Sequence, residues 1–252
     1  MFYSEIKKSI ASVGVRKGDL IFVQSSLLPF LMKINSERHN VFLKDTCNAI
    51  IDSVGTEGTV CFPAFSYSMS TNEIFNPNDP PINANGLLAT TMWKTNKCLR
   101  TMDPIFSVCA IGRLEKELTQ DVPKTCFGKD SFFDRFYRCN GKLLQVGVGF
   151  DRTAFVIYFD QRLKNKYRYL KRFSGMVQKG KKLKKETWVC CVRKLDGTVI
   201  TDLRMFKNRV EEDGIVQKTK IMDSYIYCAD IKSIYTAVKG YFKEDPLFFI
   251  KH

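Results

Sequence analysis

The chain has 252 residues and a formal net charge of +14, with 44% apolar and 13% aromatic residues. That apolar content excludes general disorder and suffices for one substantial core, and no apolar run approaches the ~20 residues of a membrane helix. The amino terminus has no apolar leader and nine cysteines are scattered without Cys-x-x-Cys pairs, so the expectation is a soluble cytoplasmic protein with neither a disulfide framework nor a metal site.

In chain order, the spacing of Ile6, Ile10 and Val13 predicts a helix over 4–13 that Gly14 stops. LIFVQSSL, from Leu20, is a nearly continuous apolar strand of the kind buried on both faces, ending at Ser25-Ser26. Residues 29–41 read as a polar connection in which His39 is a solvated loop histidine. A helix over 43–54 and a short strand over 59–62, stopped by Pro63, complete a strand–helix–strand unit and imply a largely parallel sheet. The long proline-bearing segment 66–85 contains Tyr67 and is expected to line a substrate cleft.

A helix over 86–93, the Arg100-Thr101-Met102-Asp103-Pro104 turn and a strand over 105–112 come next, followed by a helix in FFDRFY that Asp130 or Ser131 can cap. GKLLQVGVGFDRTAFVIYFDQRL, from Gly141, reads as a buried strand over 142–146, a turn at Gly147 and Gly149, and a helix capped by Asp151 or Thr153. In that helix Ala154, Val156, Ile157 and Phe159 are expected to face the core while Tyr158 and Asp160 look elsewhere. Beyond it, ETWVCCVRKLDGTVITD reads as a hairpin turning at Asp196-Gly197, and helices are predicted over 202–212 and 230–242 with an extended stretch over 215–222.

Residues 162–185 carry eleven Lys and Arg and no Asp or Glu. Such a segment attracts anions. Lysines 179–185 read as a solvated loop, whereas Arg168, Lys171 and Arg172, interleaved with Tyr167, Tyr169 and Phe173, read as a wall for a phosphorylated ligand. Stacking of nucleic acid is the alternative, although no recognition motif accompanies it.

GVGFDRTAFVIYFDQRL and the following YRYLKRF resemble the signature segment of the aminoglycoside 3-N-acetyltransferase family, and GTVCFPAF and the DPLFF end are similar to other segments of it. The resemblance spans nearly the whole chain. It implies one α/β domain over 1–252, with a core to about residue 163 and a C-terminal substrate lobe built on a hairpin and helix. It also implies an acyl-coenzyme A-dependent N-acyltransferase that transfers directly in a ternary complex. By the family's pattern, Ser25, Ser26, Leu27, Arg100, Ser107 and Gly149 would contact the acetyl-coenzyme A donor, and the acceptor candidates are Tyr67 of the long polar segment, Asp151 of the turn before the helix, and Arg168 and Arg172 of the basic-aromatic segment.

The family's two histidines fall on Asp103 and Ile157, its glutamate on Asp160, and a third histidine on Gln24. The expected base is therefore a carboxylate, Asp103 or Asp160, or the phenol of Tyr158. The alternatives are transfer by positioning alone and a scaffold that has lost transfer. A charge of +14 suits an anionic acceptor, such as a nucleotide-linked amino sugar of surface-glycan synthesis, better than a polycationic aminoglycoside. The runner-up from another class is a non-enzymatic, basic anion-binding protein. Homo-oligomerisation stays open.

Overall fold

The computed structural model describes residues 2–194 and 196–251. The first half forms α1 (Phe2–Ser12), β1 (Leu20–Ser25), the short α2 (Leu28–Leu31), α3 (His39–Val54), β2 (Thr59–Pro63), the short α4 (Ser68–Thr71), α5 (Leu87–Thr95), β3 (Leu99–Arg100) and β4 (Val108–Gly112). The second half forms α6 (Glu115–Thr119), α7 (Phe132–Arg138), β5 (Lys142–Val146), α8 (Phe155–Leu163), β6 (Arg168–Lys179), β7 (Lys182–Arg193), α9 (Arg204–Glu212), β8 (Gln217–Ile221), β9 (Ser224–Asp230) and α10 (Ile231–Glu244).

The main sheet has seven strands in the order β3-β4-β2-β1-β5-β9-β8. β1 lies at its centre, parallel to both β2 and β5, and β1–α3–β2 is the crossover unit expected from the sequence. β4 and β9 run antiparallel to β2 and β5, so the sheet is mixed. The continuous apolar run of β1 is explained by its alternation. Leu20 and Phe22 enter the core shared with α7, α8 and α10, while Ile21 and Val23 enter the core shared with α1, α3 and α5. Helices cover both faces, which is the α/β class implied by the pattern.

Three local expectations change. The hairpin does not turn at Asp196-Gly197. β7 pairs instead with the preceding β6, in a separate two-stranded sheet with Lys179 opposite Lys182, and Leu195 lies outside the described residues. Lysines on β6 and near the turn hid a strand signal that became real only through cross-strand pairs such as Phe173 with Trp188. His39 is not a free loop side chain, because it opens α3 with its Nε2 2.9 Å from the carbonyl oxygens of both Leu31 and Ile34. The other expected imidazole, His252, lies outside the described residues.

The third concerns α8. Tyr158 and Asp160 are buried, and it is Ile157 that is left half-exposed. The expectation equated polar with exposed, but both polar groups found partners inside. The Tyr158 hydroxyl donates to Asp134 Oδ1 at 3.0 Å, and Asp160 accepts from Arg168, Tyr167 and Asn165.

Candidate active site

Parallel strands in an open sheet leave a crevice beyond their carboxyl ends, and a cleft of about 960 Å³ lies beyond the ends of β1, β2 and β5. One wall is Gln24 to Leu28, and the opposite one is Gly147 to Ala154 with Ile157 behind it. The Ser26 amide donates to the Val146 carbonyl at 2.9 Å, carrying the β1–β5 pairing past the strand ends. Gly147 then crosses this backbone at φ +70°, and a side chain there would strike the Ser26 carbonyl and come within 2.6 Å of the Phe30 ring. Only glycine satisfies both the left-handed backbone and the close approach.

The third wall comes from segment 66–85 and the start of α5. Asn85 secures it by copying a β-strand partner: its Oδ1 accepts from the Phe65 amide at 3.1 Å and its Nδ2 donates to the Phe65 carbonyl at 2.8 Å. Gly86 and, from the first turn of α5, Leu87 and Thr90 border the cleft. Phe65, Tyr67 and Phe106 form an aromatic triad on this wall, with ring centroids 5.1–6.1 Å apart. Tyr67 is held in the left-handed region at φ 54°, an uncommon state for a bulky residue. Its amide donates to the Ile105 carbonyl at 3.2 Å and its carbonyl accepts from the Ser70 amide at 2.8 Å. Burial raises the Tyr67 phenol pKa, leaving a neutral hydroxyl donor.

Among the described lining residues Asp151 is the one carboxylate and Arg152 the one cation. Gln24 positions both. Its Nε2 donates to the Arg152 carbonyl at 3.1 Å and its Oε1 accepts from the Ala154 amide at 3.4 Å, tying the end of β1 to the turn before α8.

Of the expected catalytic, donor and acceptor residues, Ser25, Ser26, Leu27, Gly149, Tyr67 and Asp151 border this cleft, as do Gln24 and Ile157, two of the positions where the family has histidines. Asp103, Tyr158, Asp160, Arg100, Ser107, Arg168 and Arg172 do not. Asp103 is buried in a turn, where its Oδ1 accepts from the amides of Ile105 and Phe106 at 2.8 and 2.9 Å; burial pushes its carboxyl upward. That carboxylate shapes the loop that presents Phe106 and does not itself reach the cleft. Tyr158 and Asp160 are held behind α8 by Asp134 and Arg168. None of the three expected bases faces a substrate. Arg168 is committed to Asp160 rather than to a ligand, and Arg172 is exposed on β6.

Arg100 and Ser107 also serve the frame. The Arg100 guanidinium donates to the Asp79 carbonyl at 2.6 Å, to the Ala64 carbonyl and to Ser107 Oγ, which itself donates to Ala64. It therefore clamps segment 66–85 to the end of β2. Arg100→Ala is expected to cost about 1.5–3 kcal/mol, the usual worth of hydrogen bonds to a charged group, and to be read as a lower urea midpoint; unchanged stability would mean the clamp is dispensable.

Sequence reading missed Phe65, Phe106, Arg152 and Leu203 as lining residues. Gln24 and Asn85 are marked by the family's histidine pattern and by the long segment 66–85, respectively. Leu203, far along the chain, carries no signal.

The described residues contain no helix long and apolar enough to cross a membrane and no acidic, His or Cys cluster arranged for a metal ion. The family description "aminoglycoside 3-N-acetyltransferase" matches residues 25–243. Among solved structures, the fold is similar to aminoglycoside acetyltransferase AAC(3)-Xa, at 15% identity and a TM-score of 0.81, covering 96% of this chain and 92% of that one. AAC-IIIb in a binary complex with CoASH is 18% identical, with a TM-score of 0.78 and 96% of each chain covered. The YokD protein from Bacillus subtilis is 16% identical, with a TM-score of 0.76, covering 96% and 99%. With the cleft, the mixed sheet and a match over most of its length, the chain belongs to the aminoglycoside 3-N-acetyltransferase family.

Proposed function

We propose that this cleft transfers an acyl group, acetyl in the simplest case, from coenzyme A to the amine of an anionic amino sugar such as a nucleotide-linked one. The observation that carries the reading is the composition of the cleft wall. A polycationic acceptor calls for several carboxylates, and this wall offers Asp151 alone, with its single cation Arg152 3.9 Å away to meet an anionic group. The first turn of α5 and the Ser25–Ser26 corner suit the coenzyme's phosphates, and the aromatic triad suits its apolar arm. AAC-IIIb has been crystallised with CoASH in the same fold, which supports the donor.

In the transfer, the amine nitrogen bonds to the thioester carbonyl carbon, and the carbon–sulfur bond breaks. The nitrogen's proton passes to the Asp151 carboxylate, which then gives it to the leaving thiolate, so that coenzyme A departs as the thiol and Asp151 returns to its charged form. Tyr67, a neutral phenol on the facing wall, supplies a hydrogen bond to the oxygen that becomes negative. Ile157 stands where the family's imidazole is expected, so Asp151 and the positioning of the two substrates carry the reaction.

The test is thiol release from acetyl-coenzyme A with a panel of nucleotide-linked amino sugars and aminoglycosides. Asp151→Asn is expected to slow release at least about tenfold, within the usual range for losing a proton acceptor, while coenzyme A still protects the protein against heat. Aminoglycoside acylation with no affinity for nucleotide-linked sugars would overturn the acceptor. The Ile157 substitution favours one second reading, a scaffold that binds coenzyme A without transfer, and protection by coenzyme A with no thiol release across the panel would establish it.

A further inference from the structure

The basic segment plays no part in the cleft, and its distribution is informative. Among the cations of residues 162–185, Arg168 pairs with Asp160, Lys179 with Glu186 at 2.6 Å, and Arg162 stacks 4.6 Å from the Tyr137 ring and 5.3 Å from the Tyr235 ring. Lys164, Lys166, Lys171, Arg172, Lys181, Lys182, Lys184 and Lys185 have no carboxylate partner among the described residues, and all are exposed. The last six sit on the β6–β7 hairpin or its turn, and Lys164 and Lys166 lie in the connection that leads into it.

The hairpin is braced on both edges. The Phe75 amide donates to the Met176 carbonyl at 2.9 Å and the Gln178 amide to the Phe75 carbonyl at 2.8 Å, while Val189 exchanges backbone bonds of 3.0 Å with Lys124 and Cys126. Its inner face, with Val177, Trp188 and Cys190, is part of the core. By register the outer face carries Arg172 and Val189, Met176 and Lys185, and Gln178 and Leu183 as opposed pairs, with buried Cys191 opposite Leu170 at its base, while Lys171, Lys182 and Lys184 alternate to the inner face and remain exposed there. Leu183 is 48% exposed, between Lys182 and Lys184, and Leu170 is 60% exposed at the base.

We propose that this braced hairpin docks the protein on an anionic lipid bilayer surface, with the lysines around the turn meeting the headgroups and Leu183 entering the interface. Cations interleaved with exposed leucines fit a headgroup layer, which takes both charge and apolar side chains. Single-stranded nucleic acid needs exposed aromatic platforms, and here Tyr167 and Trp188 are buried and Phe173 half-buried, leaving Tyr169. The proposal is independent of the acyl-transfer reading.

The test is co-sedimentation of the full chain with phosphatidylcholine vesicles, with and without about one third phosphatidylglycerol. Binding only to the anionic vesicles, weakening as salt rises, is expected. The triple variant Lys181→Glu, Lys184→Glu, Lys185→Glu is expected to lower the partition coefficient about 100-fold, and Leu183→Ser to lower it without changing charge. These positions are exposed, so the melting temperature should hold; if the triple variant fails to fold, Leu183→Ser and the salt series decide. Equal partition to both vesicle types, no binding to either, or binding to oligonucleotides without binding to vesicles overturns it.

Discussion

Gly147→Ala is expected to destabilise the protein by roughly 2–5 kcal/mol and to abolish heat protection by coenzyme A. Two penalties combine. An alanine at φ +70° pays for the left-handed backbone, and its methyl would overlap the Ser26 carbonyl and press on Phe30. Relief would require the β1 and β5 ends to separate, which opens the corner where Ser25, Ser26 and Gly149 meet. Gly14 separates the two penalties, because it sits at φ +90° with nothing within 4 Å of an added methyl. Gly14→Ala should therefore cost only the backbone part, about 1–2 kcal/mol. Chemical denaturation of the two variants measures the difference. Equal losses would mean that the close approach at Ser26 contributes nothing.

Asp160→Ala should cost about 3–5 kcal/mol, the usual consequence of leaving one partner of a buried ion pair uncompensated. Asp160 is fully buried, and the Arg168 side chain beside it is 7% exposed. Burial pushes the Asp160 carboxyl up, and Arg168, Tyr167 and Asn165 pull it back toward the charged form. Removing the carboxylate strands the guanidinium and takes away the acceptor used by the Tyr167 hydroxyl and the Asn165 amide. Replacing both ions, as Asp160→Leu with Arg168→Met, should recover much of the loss. Thiol release by the folded fraction of Asp160→Asn should stay near that of the parent, because this carboxylate lies behind α8 and outside the cleft. A large loss of turnover in fully folded Asp160→Asn would return Asp160 to the list of proton acceptors.

The contrast between Asp151 and Asp160 shows what the sequence could decide. Both are aspartates on or beside one helix, and a family frame drew attention to the second because it occupies the expected glutamate position. The fold brings Asp151 to the cleft, because Gln24 on β1 holds the turn that carries it. It buries Asp160, because the connection after α8 folds back and sets Tyr167 and Arg168, seven and eight residues on, against its carboxylate.

The sequence by itself determined the elements whose signals are local. The doubly buried β1, the β1–α3–β2 crossover, the bounds of β5 and the glycine turn after it were all legible, since apolar periodicity and turn chemistry act over a few residues. Only the tertiary structure decided which polar side chains are paired inside, that β6 rather than a later segment partners β7, and that Leu203 completes the cleft. Leu203 is distant along the chain from the rest of the cleft, while the β6–β7 hairpin and the partners of Asp160 are near in sequence but hidden by charges that read as solvated until the fold pairs or buries them. The cleft is therefore a product of register and packing between β1, β5 and the turn before α8, set by non-local hydrogen bonds and close approaches that no short window of sequence contains.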